Sequence, residues 1–223
     1  MTRIMFPLIQ VEFVVTSYQI NSHLPGTPSP RNLLGNLSGM LINSHPAIDY
    51  PRLLPPSFLE IGGFHIAGPK PLPVDLANFV NDPRSNGTVL FAMGTTFDMR
   101  FVPHEVMASY LAAFASIPYN VIMVVKGDIS EHKVPHNVKI VGWAPQVDIL
   151  ADARTVVFIS HCGLNSIMEA VSHSVPIVGI PVFADQDDNL RRLLDRRLAV
   201  GVTKHCTSEE LVAAILEVVT NPV

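Results

Sequence analysis

From Thr88 to Thr220 the chain alternates two patterns. Short runs in which nearly every residue is apolar or β-branched are followed by stretches whose apolar residues recur every three or four positions. The first pattern predicts strands covered on both faces, and the second predicts amphipathic helices laid over them. The strands fall at Thr88–Met93, Val121–Val125, Val138–Val141, Thr155–Ser160, Val175–Pro181 and Leu198–Val202. Helices are expected near Pro103–Phe114, Pro145–Leu150, Asn165–His173 and Asp187–Arg196, with a last one over Ser208–Thr220. That last helix opens with Thr207 and Glu210 at capping-box spacing and stops before Pro222. Strand and helix in strict alternation predict an α/β fold, a doubly wound parallel Rossmann-like sheet.

Upstream the pattern changes. Residues 1–64 hold no sustained period, and proline-rich pieces interrupt them at Pro25–Pro30 and Pro51–Pro56. GPKPLP (Gly68 to Pro73) reads as a linker, because proline stiffens the chain and removes backbone donors. The expected organisation is therefore an N-terminal part over 1–64, a linker over 65–75, and the α/β domain over 76–223. The opening MTRIMFPLIQVEFVVTSY bears a faint likeness to a signal peptide, but Glu12 breaks its apolar run and no clean cleavage site follows. An internal β-strand is the better expectation there. No internal repeat is visible, and no stretch approaches the ~18 apolar residues of a membrane span.

Composition narrows the function. Apolar residues make up 48% of the 223, which suits a sheet buried on both faces or an apolar surface awaiting a cover. A formal net charge of −4 argues against a nucleic-acid partner, which needs a basic face. The arginines at 191, 192, 196 and 197 end a segment that begins with acidic residues, which matches a helix dipole without a ligand. Two cysteines, Cys162 and Cys206, make neither a disulfide framework nor a zinc site, and no metal is expected.

Four segments following strands carry the candidate chemistry. In AMGTT, Gly94 allows a close backbone approach to an anion and Thr95 adds a hydroxyl, although an ordinary strand-to-helix turn explains the segment as well. In VGWAPQ, Trp143 is the chain's single tryptophan. Its indole suits either a nucleobase at a cleft mouth or half-burial in the core. Gln146 offers both a donor and an acceptor for ribose or base. In FISHCGLNSIMEAV, Gly163 is expected to form the bend that opens a helix, whose free amides make an anion site. His161, Asn165 and Ser166 add hydrogen bonds to a diphosphate, and Glu169 reaches ribose hydroxyls. Ser166 and Glu169 also have capping-box spacing, a purely structural alternative, but a cap leaves His161, Gly163 and Asn165 unexplained. In GIPVFADQDDN, Asp185 and Gln186 can grip sugar hydroxyls, or Asp185 can be a simple N-cap.

Taken together, WAPQ, ISHCGLNSIMEA and GIPVFADQDDN at these spacings resemble the UDP-glycosyltransferases, over about Leu59 to the C-terminus. PRLLPPSFLEIGG before the linker looks like the end of the N-terminal domain in the animal, UDP-glucuronosyltransferase-like branch. The resemblance implies the GT-B architecture, two Rossmann-like domains facing across a cleft, and an inverting transfer of a glucosyl or glucuronosyl group from a UDP-sugar to a small lipophilic acceptor. UDP-sugar is a co-substrate, and no cofactor is implied. By resemblance Trp143 stacks on uracil, Gln146 contacts the nucleoside, Glu169 holds the ribose, Gly94, Thr95, His161, Gly163, Asn165 and Ser166 surround the diphosphate, and Asp185 and Gln186 hold the sugar. The family's general base, a histidine partnered by an aspartate early in the N-terminal domain, matches none of His23, His45 and His65. The N-terminal part thus reads as an incomplete remnant of the acceptor domain. The resemblance also implies the endoplasmic reticulum membrane, though the family's terminal anchor is not seen in this sequence. Two hypotheses follow: a hexosyltransferase, or a module that binds UDP-sugar or pairs with another chain of the family without catalysis. A nicotinamide-dependent dehydrogenase fails, because no G-x-G-x-x-G follows a predicted strand.

Overall fold

In the computed structural model, residues 19–95, 99–127 and 129–221 are described. The strand expected within the first 18 residues and Thr96 of the AMGTT segment lie outside them. The described residues divide into two units, one built from residues up to Ile42 with Arg52–Glu60, the other from Asn43–Pro51 with Ile61 onward. The first holds a short helix, α1 (Pro30–Gly35), and two three-residue strands, β1 (Met40–Ile42) and β2 (Phe58–Glu60), paired in parallel. These strands are too short to leave a readable period, which is why the sequence pattern looked irregular there.

The second unit is the predicted α/β domain. After α2 (Val74–Val80) come β3 (Thr88–Ala92), a 3-10 turn at Met99–Phe101, α3 (His104–Ala115), β4 (Asn120–Val124) and β5 (Val138–Val141). Then follow α4 (Gln146–Leu150), β6 (Thr155–Ser160), α5 (Leu164–Ser172), β7 (Ile177–Gly179), α6 (Gln186–Asp195), β8 (Ala199–Gly201) and α7 (Ser208–Thr220). All six strands run parallel in the order β5-β4-β3-β6-β7-β8. The β7 strand is shorter than predicted because Pro176 and Pro181, which cannot donate to a ladder, stand on either side of it.

Double burial explains the unbroken apolar runs. Along β3, Val89 and Phe91 face a core shared with α3 and α7, while Leu90 and Ala92 face one shared with α2, α4, α5 and α6. Burying each large side chain is worth roughly 1.5–3 kcal/mol, so a polar residue on either face of β3 would be expensive. The α2 helix was not anticipated. It has seven residues, follows Pro73, and buries only Leu76 and Val80, too little for a periodic signature.

The arginines of α6 do more than complement a dipole. Arg192 Nη1 lies 2.7 Å from Asp49 Oδ1, and Arg196 donates to the carbonyls of Ile48 and Asp49. Tyr50 donates its hydroxyl proton to Asp195. The segment Asn43–Pro51 is thereby held on the α/β domain.

Candidate functional site

The strand order reverses between β3 and β6: from β3 the sheet grows through β4 to β5, and from β6 through β7 to β8. Open parallel sheets bind ligands beyond the carboxyl ends of their strands at such a point, where the departing chains separate and leave a crevice. A cleft of ≈ 630 Å³ lies there, within the range of small-molecule sites. Residues just past four strands line it: Gly94 and Thr95 after β3, Lys126 after β4, Gly142 and Trp143 after β5, His161 and Gly163 after β6. Asn165, Ser166 and Glu169 of α5 and Gln146 of α4 complete the wall.

The turn after β6 is tightly fixed. Cys162, not Gly163, takes the left-handed conformation, with φ 65°. Its amide donates to Ser160 Oγ at 3.1 Å and its carbonyl accepts from Asn189 Nδ2 at 3.0 Å. These bonds tie the end of β6 to α6 and stabilise a conformation that costs a non-glycine residue roughly 1–2 kcal/mol. The Cys162 side chain is fully buried, and burial pushes its thiol up to about 12. It is a packing residue.

Gly163 is required for another reason. A Cβ there would stand 2.5 Å from His161 Nε2, and one on Gly94 would stand 2.6 Å from the same ring. Gly94 also has φ +75°. The imidazole is thus held between two glycines, one from each side of the strand-order reversal. Burial holds its pKa below the ordinary value, opposed by the Ala92 backbone and the Asp185 charge. His161 is therefore neutral at pH 7, and its Nδ1 is buried without a hydrogen-bond partner.

At the start of α5, Ile167 N–H donates to Gly163 O at 3.1 Å, so the amides of Leu164, Asn165 and Ser166 have no partner within the helix. Gly163 supplies no side-chain cap. The capping-box alternative for Ser166 and Glu169 does not hold, because both lie inside the helix. Instead Gln146 Nε2 donates to Ser166 Oγ at 3.1 Å and to Glu169 Oε2 at 2.7 Å. One polar network thus joins three residues that the sequence offered separately. Asn165 Oδ1 accepts from Asn43 Nδ2 at 3.0 Å.

Trp143 is 73% exposed, so it is not a core tryptophan. Asp185 and Gln186 are not brought to the cleft wall. Gln186 is buried, and its Oε1 accepts from the amides of Val182 and Phe183, closing the loop before α6. Asp185 is exposed, makes no N-cap bond, and accepts from Asn189 Nδ2 at 2.9 Å. Sequence reasoning passed over Lys126, the one Lys or Arg among the described residues of the lining, and Asp148. The rule that pointed to the other segments also covers Lys126, which directly follows a predicted strand and precedes Gly127, a residue at φ 100°. Asp148 Oδ1 accepts from Lys70 N at 2.7 Å. Among the described residues no group of three or more His, Cys, Asp and Glu side chains is gathered as a metal site requires. Nor is any helix there long and apolar enough to cross a membrane.

Comparison with known proteins bears on the family and the fold. The family model described as UDP-glucoronosyl and UDP-glucosyl transferase matches residues 3–223. UDP-glucuronosyltransferase 2A3 of Pongo abelii is 35% identical over 189 residues, which cover 84% of this chain and 35% of that protein. UDP-glucuronosyltransferase 3A1 of Bos taurus is 36% identical over 206 residues, 90% of this chain and 39% of that protein. The chain thus spans well under half the length of these relatives. Among solved structures, the glycotransferase of kitacinnamycin superposes with a TM-score of 0.69 at 19% identity, covering 96% of this chain and 54% of that one. Os79 from O. sativa, in complex with UDP, superposes with a TM-score of 0.56 at 24% identity over 66% of this chain and 35% of that one. Both likenesses concern the fold.

Proposed function

Because the chain belongs to the UDP-glucuronosyl and UDP-glucosyl transferase family, we propose that its cleft holds the nucleotide of a UDP-sugar and serves inverting transfer of a glucosyl or glucuronosyl group to a small lipophilic acceptor hydroxyl. Donor binding belongs to residues 76–223, which follow the linker at 65–75. One observation carries the reading: nine residues chosen for donor chemistry from separate stretches of sequence line a single cleft where the strand order reverses. A cleft assembled only by packing would not gather an exposed indole, an uncapped helix start and a network of amide, hydroxyl and carboxylate.

In this reading the uracil stacks on Trp143, worth roughly 1–3 kcal/mol. Gln146 and Glu169 take the ribose. The diphosphate lies over Thr95 and the amides of Leu164, Asn165 and Ser166, with His161 as a neutral hydrogen-bond donor. Lys126 supplies the opposite charge. As the acceptor hydroxyl gives its proton to a general base and its oxygen attacks the anomeric carbon, the bond to the diphosphate breaks and negative charge grows on the departing phosphate. Fixed amides and the His161 ring favour that charge more than the ground state, which is how a preorganised site accelerates departure. Gln186 reaches the sugar only if the loop before α6 rearranges, since its Oε1 is committed to backbone amides, whereas Asp185 is exposed.

A second reading, donor binding without transfer, is favoured by one observation. His161 is the only histidine among the described cleft-lining residues, and the first reading already commits it to the diphosphate, leaving no second histidine there to deprotonate an acceptor. Assaying UDP release from UDP-glucose and UDP-glucuronate with a panel of phenols separates the two. Turnover that His161→Ala abolishes supports the transferase. UDP binding with no turnover supports the binding module.

A further inference from the structure

We propose that His65 is a positioning residue of the donor site, holding the Glu169 carboxylate in the orientation that meets the ribose hydroxyls; this rests on the reading of Glu169 given above. His65 Nε2 lies 3.3 Å from Glu169 Oε1, with the two side chains 20% and 13% exposed. The approach is within ion-pair distance but off hydrogen-bond alignment, and both ring nitrogens are buried without a hydrogen-bond partner. The other carboxylate oxygen, Oε2, accepts from Gln146 Nε2 at 2.7 Å. Glu169 is therefore held from two sides, by Gln146 of α4 and by His65 of the linker region. His65 is not part of the cleft wall, so it acts through Glu169.

Three features argue that this contact is built rather than incidental. A mostly buried carboxylate is costly unless its oxygens are compensated, and His65 faces the oxygen that Gln146 leaves. The backbone around His65 is fixed: Gly62 N–H donates to Ser44 O at 2.9 Å, Ile66 N–H donates to Gly63 O at 2.9 Å, and a Cβ on Gly62 would stand 2.6 Å from Ser44 O. The ring is further set edge-on against Phe64, with centroids 5.8 Å apart. Finally, the same stretch makes a second contact with the cleft, Lys70 N to Asp148 Oδ1 at 2.7 Å. The linker thus orients two carboxylates of the wall. Each carboxylate oxygen can accept about two hydrogen bonds, so Glu169 held in this way still has lone pairs for the ribose.

The test is calorimetric titration of the full chain with UDP and with 2′,3′-dideoxyuridine diphosphate, which lacks the hydroxyls Glu169 would hold. The parent should prefer UDP by about tenfold, the size expected of hydrogen bonds to a charged group. His65→Ala should shrink that preference to near that of Glu169→Ala while leaving dideoxy affinity within about twofold of the parent, an outcome that general loss of stability does not produce. His65→Gln, which keeps a donor, should recover part of the preference, and adding His65→Ala to Glu169→Ala should change nothing further. His65→Leu, which keeps bulk beside Phe64, carries the comparison should the alanine variant not fold. If the His65 variants keep the full preference while Glu169→Ala loses it, the positioning role is wrong and the reading of Glu169 stands. If Glu169→Ala keeps the preference, or the parent binds no UDP, the reading of Glu169 falls and the inference with it.

Discussion

His161 is gripped on both faces, and the grip has consequences at the scale of single atoms. Neither Gly94 nor Gly163 can take a methyl group without moving the imidazole, because the added carbon would stand about 1 Å inside van der Waals contact with it. Gly94→Ala also forces an alanine to φ +75°, a conformation that costs roughly 1–2 kcal/mol. The expected outcome is a chain that folds with lowered stability and binds UDP at least tenfold more weakly, measured by chemical denaturation and calorimetry. A variant with unchanged UDP affinity would remove His161 from the site. The ring also sets a pH dependence. Burial lowers its folded pKa below the ordinary 6.5, so below about pH 6.5 the unfolded chain binds more protons than the folded one. Stability therefore rises with pH through that window and is fully present above it. Denaturation midpoints of the parent should fall between pH 7.5 and pH 5.5 by more than those of His161→Asn, and equal falls would contradict the assignment. The roles of His161, Asn165 and Ser166 were suggested by residue type and spacing, but the glycine clamp was not. It depends on Gly94 and Gly163 meeting across two strands, and a sequence does not state which strands are neighbours.

Two helix starts show how capping divides structural from binding elements. The α7 helix closes its own N-terminus: Thr207 Oγ1 accepts from Glu210 N at 3.2 Å, and Glu210 Oε2 accepts from Thr207 N at 2.8 Å. The α5 helix leaves its first amides free at the cleft. Replacing Thr207 by alanine should cost about 1 kcal/mol of stability and leave UDP affinity unchanged, read from denaturation and titration of the same preparation. The box at Thr207 and Glu210 was legible because its spacing is local. The same spacing at Ser166 and Glu169 offered a cap only as an alternative, and no cap forms there, because both lie inside α5 and Gln146 bonds both side chains. The long strands were legible for a comparable reason, since burial on both faces leaves no polar alternation to misread. The α2 helix and the three-residue strands β1 and β2 were not, being shorter than the periods by which elements are recognised.

At the scale of the molecule, the position of the cleft follows from strand order alone. Reversal between β3 and β6 separates the chains leaving those strands, and the residues just beyond them become the walls. Asp185 and Gln186 follow β7, and there Gln186 turns its Oε1 back onto the amides of Val182 and Phe183 rather than toward the cleft. Their segment was suggested by a motif, and a motif carries residue identity without distance. Segment Asn43–Pro51, clamped to α6 through Asp49 and Arg192, shows the converse: packing that no local pattern announced. The central claim is that this cleft receives a uridine nucleotide against the exposed face of Trp143. Trp143 is the single tryptophan of the chain, so its emission reports on that face without interference. Titrating the folded protein with UDP should change Trp143 fluorescence in a saturable, one-to-one manner. Emission that stays constant through saturating UDP, with the protein folded throughout, would contradict the claim.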